Sequence, residues 1–472
     1  MKCRFEVNGI QYWASEFGIF CTVMATLFQA GEIKAATLLN EAEFVKRIDR
    51  GEHDLACSCA EDAPQSGAAH TTGCLMTDFA KTRELFYLPD GVIYLDGNSL
   101  GPLPHAAKSH LPSVLQDEWG EMLIRGWNQA RWFVQPSKVG DRIAKLVGAE
   151  PGSITTGDTL SIRIYQALDA ALSLTPERRV ILSDSGNFPT DLYMASGLTR
   201  RLDKGYEIRT VAPEEVENAI AEDVAVLMLT EVDYRTGRLH DMKRLTEKAH
   251  AVGALTVWDL AHSAGALPID LAGAGADFAA GCTYKYLNGG PGAPAFIYVA
   301  PKHLEKVQPA LSGWMGHKSP FDFTLDYKPA DGIERMRIGT PPVLALAVLE
   351  KALDAWDGVS LADVRAKSIE LGDLFIQEVE ARCPQLELFS PREGAERGSQ
   401  VSFLFDEGYA AMQALIDRGV IGDFRAPNAM RFGFTPLYID EKDVRDAVDI
   451  LDDILRNRLW DQPKYKQRAA VT

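Results

Sequence analysis

The chain has 472 residues, of which 46% are hydrophobic and 24% charged, and it carries a formal net charge of −17. Such a length supports two or three domains with full cores. The acidic balance argues against a nucleic-acid surface, which needs a basic stripe to neutralise phosphates, and no apolar run reaches the roughly 18 residues of a membrane span.

The first 75 residues differ from the rest. Five of the seven cysteines (Cys3, Cys21, Cys57, Cys59 and Cys74) precede Met76, and only Cys282 and Cys383 follow it. A thiol-poor body fits a reducing cytosol, so a cytoplasmic location is expected. The apolar stretch 17–28 is too short to span and makes a poor signal peptide, because Glu6 and Glu16 precede it. Cys57 and Cys59, with His53 and His70 nearby, lack the two-residue spacer of common zinc motifs, and no metal is expected. Small and polar residues dominate 60–73, which reads as a linker. Residues 1–75 are therefore expected to be an extension, and Met76 opens the first domain-like sequence.

From Val180 onward, short β-branched runs alternate with amphipathic helical segments. The runs at 180–185, 225–230, 254–261 and 294–300 are nearly continuous in apolar residues. Between the second and third, Met242, Leu245, Ala249 and Val252 share one helical face. Strand, helix, strand with such runs predicts a parallel sheet covered on both sides. A helix beginning after Pro342 leads to a smaller C-terminal unit. That unit is expected to hold a helix over 360–382, strands near 386–389 and 400–405, a helix over 408–418 and a last helix over 440–457.

The richest chemistry lies in two nearby runs, Trp258-Asp-Leu-Ala-His-Ser-Ala-Gly and Thr283-Tyr-Lys-Tyr-Leu-Asn-Gly-Gly-Pro-Gly. A lysine amine and an acid that keeps a pyridine nitrogen protonated are the two groups that pyridoxal-5′-phosphate catalysis demands. Lys285 and Asp259 fit those roles, because Asp259 ends a predicted strand and ligands of open α/β sheets gather beyond the carboxyl ends of strands. A lone lysine after an apolar strand is most often a surface residue; its pairing with Asp259 reverses that weighting. The run from Gly157 through Thr159 and Ser161 into an apolar-faced helix offers a phosphate cradle, although an unliganded helix cap is the plainer reading of those residues alone. Phe188, in Phe-Pro-Thr-Asp, is placed to stack on a ring, the plainer alternative being a core phenyl.

These runs, with Asp96-Gly-Asn-Ser-Leu-Gly-Pro-Leu-Pro, Arg125-Gly-Trp-Asn, Asp233-Tyr-Arg-Thr-Gly, Ser312-Gly-Trp-Met-Gly-His, Gly339-Thr-Pro-Pro and Pro427-Asn-Ala-Met-Arg, resemble the motifs of the kynureninases, in that family's order, from about Met76 to the C-terminus. The resemblance implies a pyridoxal-phosphate enzyme of fold type I, α/β, with a mixed, mostly parallel seven-stranded sheet in a large domain (131–341), preceded by an arm (76–130) and followed by a small α+β domain (342–472). It implies cofactor contacts from Leu160, Ser161, Phe188, Asp191, Thr230, Asp259, His262 and Tyr284, with Lys285 as the Schiff-base lysine. Lys285 and Tyr284 are the implied catalytic pair. Trp314 and Thr340 correspond to residues that reach the cofactor of the other subunit, which implies a homodimer. Ser99, Trp127 and Arg431 are implied substrate contacts, Arg431 as a clamp for the α-carboxylate; without the resemblance, Arg431 reads equally well as a surface salt-bridge partner. The implied reaction is hydrolysis of L-kynurenine to anthranilate and L-alanine in tryptophan catabolism.

Three positions depart from the family's usual form or vary within it. Arg163 stands where many members have asparagine, Ser161 replaces a common threonine, and Trp127 lies where enzymes that prefer the 3-hydroxylated substrate carry histidine. The rival readings are a cysteine desulfurase-like enzyme, for which Cys383 is the only downstream candidate nucleophile, and a catalytically inactive binding protein of the same fold.

Overall fold

In the computed structural model, the described residues are 76–468 together with the backbone of Cys3–Val7 and Ile10–Ala14. The expectations for 17–28, for the linker at 60–73 and for Cys57 and Cys59 lie outside them. The chain divides into a unit of Met1–Cys74 and a unit of Leu75–Thr472. The described part of the first is an antiparallel hairpin, Cys3 pairing with Ala14 and Val7 with Ile10.

The larger unit is organised by a seven-stranded sheet. Its strands are β1 (Ile154–Thr156), β2 (Val180–Asp184), β3 (Glu207–Val211), β4 (Val224–Thr230), β5 (Leu255–Asp259), β6 (Phe278–Gly281) and β7 (Phe296–Val299). In space they run β1-β7-β6-β5-β4-β2-β3. The five from β6 to β3 are mutually parallel, while β7 runs antiparallel to both β6 and β1. Every residue of β4 is buried, as a strand covered on both faces requires. Edge strand β3 carries half-buried and exposed residues instead.

Helices cover both faces. Helix α1 (Leu160–Leu174) and helix α2 (Pro189–Leu202) pack with Ile164, Leu168, Leu198, Val226 and Val257 in one apolar cluster. Helix α3 (Met242–Ala251) turns Met242, Leu245 and Ala249 into the other cluster, with Leu227, Leu229 and Trp258. Helix α4 (Val343–Ala352) begins after Pro342, and helix α5 (Leu361–Arg382) is N-capped by Ser360, whose hydroxyl accepts from the Asp363 amide. Beyond it, strands β8 (Glu387–Leu388), β9 (Gln400–Leu404), β10 (Asp423–Arg425) and β11 (Ala429–Gly433) form an antiparallel sheet in the order β8-β9-β11-β10. Helix α6 (Gly408–Asp417) and helix α7 (Glu441–Arg456) complete this part, α7 opened by a capping box between Asp440 and Asp443.

At the end of the large sheet opposite the carboxyl ends of its strands, Asp277 is wholly buried. It accepts from His250 Nε2 at 2.7 Å, His303 Nε2 at 2.9 Å and the Thr256 amide at 3.0 Å, and pairs with Lys302 at 2.8 Å. These partners hold its carboxyl far below the usual carboxylate range despite its burial. The cluster ties helix α3 and the segment after β7 to the start of β6, away from the strand ends where the site residues collect.

Candidate active site

The carboxyl ends of β2, β4 and β5 bring the predicted residues together. Asp259, the last residue of β5, is 2% exposed and its Oδ1 accepts from the Ala261 amide at 2.8 Å. Asp191, in the first turn of α2, is buried beside it. Burial, then the neighbouring Asp259 charge, push Asp191 well above the ordinary carboxyl range. Asp259 is raised by burial while Lys285 pulls it down. Two buried carboxyls beside one ammonium therefore hold a proton between them. Thr230, ending β4, donates its hydroxyl to Asn187 Oδ1.

Lys285 occupies the connection from β6 to β7. Thr283 Oγ1 donates to the Pro294 carbonyl at 2.7 Å, the Gly289 amide to the Thr283 carbonyl at 2.8 Å, and the Asn288 amide to the Lys285 carbonyl at 2.9 Å. From outside the loop, the Gly101 amide donates to the Tyr284 carbonyl at 2.8 Å. A Cβ at position 101 would stand 2.4 Å from the Lys285 carbonyl oxygen, so only glycine allows this approach. The Lys285 amine so placed lies 2.9 Å from His262 Nε2. His262 is buried, and burial followed by the Lys285 charge press it well below the usual imidazole range, so it faces Lys285 as a neutral acceptor. Tyr284 is half-buried, its hydroxyl raised by burial and by Cys282.

Gly157 (φ 149°) and Asp158 (φ 54°) turn the chain into α1, whose N-cap Thr159 makes no side-chain capping bond. The amides of the first turn, which includes Leu160 and Ser161, have no partners within the helix, and the helix dipole favours an anion there. Arg163 braces this turn from within: Nε donates to the Gly157 carbonyl at 2.9 Å, and Nη1 to Gln166 Oε1 and to the Met336 carbonyl, each at 2.7 Å. Burial presses Arg163 down to about 10. Phe188, at the N-cap of α2, is 39% exposed and sits edge-on against Tyr234 at 5.1 Å.

Arg431 was equally open to a surface reading, and the structure corrects that reading. The residue lies inside β11, 1% exposed, because the antiparallel register sets it opposite Asp423 of β10. Its Nε donates to Asp423 Oδ1 at 2.6 Å and its Nη2 to Ser99 Oγ at 3.0 Å. Trp127 is half-buried and packs edge-on against Trp132 at 5.9 Å. Trp314 is 39% exposed and lies among exposed aromatics, Phe321 and Phe323. Thr340 is exposed and lines a small cleft with Gly157, Asp158, Arg163 and Arg337 of its own chain. Among the described residues, Trp127, Trp314 and Thr340 make no hydrogen bond or ring contact with the Lys285 cluster. Sequence reasoning did not single out Asn187, Tyr234, Asp423 or Arg425. For the last two, an acid and two arginines within 423–431 were the available signal.

These residues fit pyridoxal phosphate on the structure's own observations. Asp191 Oδ2 and His262 Nδ1 are buried without hydrogen-bond partners, a costly arrangement that a polar ring beside them would relieve. The open first turn of α1 suits a phosphate, and the Asp191–Asp259 pair suits a protonated ring nitrogen.

Comparison with known proteins places the chain. The kynureninase C-terminal domain family matches residues 364–451. A kynureninase of Pseudomonas fluorescens is 52% identical over 410 residues, covering 84% of this chain and 99% of that protein. One of Burkholderia pseudomallei (strain K96243) is 50% identical over 400 residues, covering 83% and 96%. Among solved structures, a cysteine desulfurase of Escherichia coli aligns with a TM-score of 0.69 at 20% identity, over 81% of this chain and 99% of its own. Another, from Thermococcus onnurineus, gives 0.69 at 18% identity, over 80% and 98%; at such identities the likeness speaks for the fold. With half its aligned residues shared with kynureninases along nearly their whole length, the chain belongs to the kynureninase family.

Proposed function

We propose that this protein is a pyridoxal-phosphate-dependent hydrolase that cleaves the Cβ–Cγ bond of L-kynurenine with water, giving anthranilate and L-alanine. The observation that carries the reading is the Lys285–His262–Asp259–Asp191 cluster beyond the carboxyl ends of β2, β5 and β6, in a chain 52% identical to a kynureninase. Leu160, Ser161 and Tyr284 would hold the phosphate, Phe188 the ring face, Asp259 with Asp191 and Thr230 the ring nitrogen, and Lys285 the aldehyde carbon. When bound, the cofactor supplies an electron sink for charge developing at the substrate's α-carbon.

The chain's own residues do the proton work. Lys285, with its amine free, would serve as the base for the α-proton, and neutral His262 at 2.9 Å accepts a hydrogen bond from that amine and so orients it. Asp259, raised by burial and drawn back by the Lys285 charge, is the carboxyl placed to pair with a protonated ring nitrogen. Tyr284, whose hydroxyl stays protonated at neutral pH, is the donor in the later steps. Incubation with L-kynurenine and chromatographic detection of anthranilate and alanine in equal amounts tests the whole reading; unchanged kynurenine with a fully loaded protein overturns it.

The desulfurase reading fares worse. Cys383 caps the end of α5, is wholly buried, and has its thiol pushed up to about 11 by burial and then Asp452, so it is neither mobile nor a ready thiolate.

We also propose a cytoplasmic homodimer with shared sites and the domain division 76–130, 131–341 and 342–472, with residues 1–75 an N-terminal extension. Sharing is supported by the exposed Trp314, Phe321 and Phe323, since exposed aromatics are enriched at interfaces. Mixing Lys285→Ala subunits with Trp314→Ala subunits should regenerate activity, because each hybrid dimer contains one intact site. No recovery, with subunit exchange demonstrated by native mass spectrometry, rules sharing out.

A further inference from the structure

Arg163 takes no part in the proton transfers, yet it is a charged group with only 1% of its side chain exposed. It stands one turn into α1, the helix whose first amides are open to a phosphate. A guanidinium buried there is costly unless its five donors are used. Three are: Nε reaches the Gly157 carbonyl, and Nη1 reaches both Gln166 Oε1 and the Met336 carbonyl. Nη2 faces the Asp158 carboxylate at 3.6 Å. Pressed down to about 10 by burial, the group still stays charged at neutral pH.

The turn that Arg163 grips is not one a chain adopts freely. Gly157 and Asp158 both have positive φ, 149° and 54°, and a residue with a side chain keeps such a conformation only where its surroundings impose it. Two anchors do so here. Beside the start of β7, the Gly157 amide donates to the Ala295 carbonyl at 2.9 Å and the Ala295 amide to the Asp158 carbonyl at 3.0 Å. Arg163 supplies the second anchor from inside the helix, and its approach is close: a Cβ at position 157 would stand 2.8 Å from Nη2.

The two anchors do different things. Ala295 fixes where the turn leaves the sheet. Arg163 fixes how the turn meets α1, because its own backbone belongs to that helix while its fork holds the carbonyl of Gly157. Through the Met336 carbonyl, which Gln166 Nε2 shares at 3.1 Å, it also ties the helix to the segment leading to Thr340. With the Ala295 pair intact, the turn survives without Arg163, but its angle to the helix is no longer held.

We propose that Arg163 is a positioning residue for the cofactor phosphate, setting the angle between the Gly157–Asp158 turn and α1 and so aiming the amides of Leu160 and Ser161. The assignment rests on the pyridoxal-phosphate reading of the site and not on kynurenine as the substrate. It is tested by titrating the full-length apoprotein with pyridoxal phosphate and with pyridoxal, the same ring without its phosphate, and following cofactor absorption. Arg163→Met, which keeps the length of the side chain and removes the fork, should weaken pyridoxal phosphate about 10- to 100-fold while leaving pyridoxal within a factor of about two. Arg163→Lys keeps the charge but cannot hold two carbonyls in a planar fork, so its affinity should fall between those of Arg163→Met and the wild type. Unchanged pyridoxal phosphate affinity in Arg163→Met overturns the assignment, as does an equal loss for both ligands, which would mean general damage to the site. If Arg163→Met does not fold, Arg163→Lys carries the same comparison, and wild-type affinity there shows that charge alone suffices and overturns the positioning role. Wild-type protein that binds pyridoxal phosphate no more tightly than pyridoxal removes the phosphate reading of the turn and this role with it. Failure of the reaction looks different: the expected pattern in a protein that leaves kynurenine intact removes the proposed cleavage and keeps the role of Arg163.

Discussion

Lys285→Ala should lower kynurenine cleavage by about 10⁴-fold or more, the combined loss of a covalent anchor and a positioned base. The loop that presents Lys285 is held by Thr283, Asn288 and Gly289 and by the Gly101 amide, none of which uses the lysine side chain. The variant should therefore fold as the wild type does. It should also keep affinity for pyridoxal phosphate through the first turn of α1 and the Asp191–Asp259 pair, so that a dialysable yellow complex replaces the tightly held one. Anthranilate formation under single-turnover conditions measures the effect. A variant within tenfold of wild type takes Lys285 out of the mechanism.

Asp259→Ala should cost at least about 10³-fold in rate, the scale seen when one preorganised electrostatic partner is removed. Asp191 does not substitute for it. Burial, the largest cause that raises its carboxyl, remains when Asp259 is removed and still favours its neutral form. Asp259→Asn should behave like the alanine variant, because it keeps the shape and the bond to the Ala261 amide while losing the charge; Asp259→Glu should retain part of the rate. Steady-state cleavage together with the cofactor's absorption maximum reads both effects. Near-normal turnover in Asp259→Asn would show that the charge is not what matters at this position.

The sequence made the central parallel strands legible because both of their faces are covered. Val224–Thr230 and Leu255–Asp259 read as unbroken apolar runs, and their last residues, Thr230 and Asp259, line the site. Strand β3 was not visible, since Glu207–Val211 lies at the edge and carries charges, and neither was β1, at three residues too short for any period to register. In the small sheet, Ala426, Pro427 and Asn428 separate β10 from β11 and hide a strand pair. That is also why the Arg431 environment escaped notice. Asp423 and Arg431 are eight positions apart and become partners only through the antiparallel register of β10 and β11. Lys285, His262 and Asp259 needed no such pairing, because strand ends and the loops after them face a common cleft wherever a parallel sheet forms.

The arm at residues 96–101 touches the site at two points. Ser99 Oγ meets the Arg431 guanidinium, and the Gly101 amide meets the Tyr284 carbonyl, next to Lys285. Two peptide units separate these anchors, at most about 7 Å of extended chain. The arm thus works as a ruler whose ends are pinned to strand β11 and to the lysine loop. A longer or shorter arm would shift one end against the other, which on the proposed function ties selection for an α-amino acid, with its amine and carboxylate on one carbon, to backbone length. Inserting a residue between Leu100 and Gly101 should therefore disfavour α-amino acids.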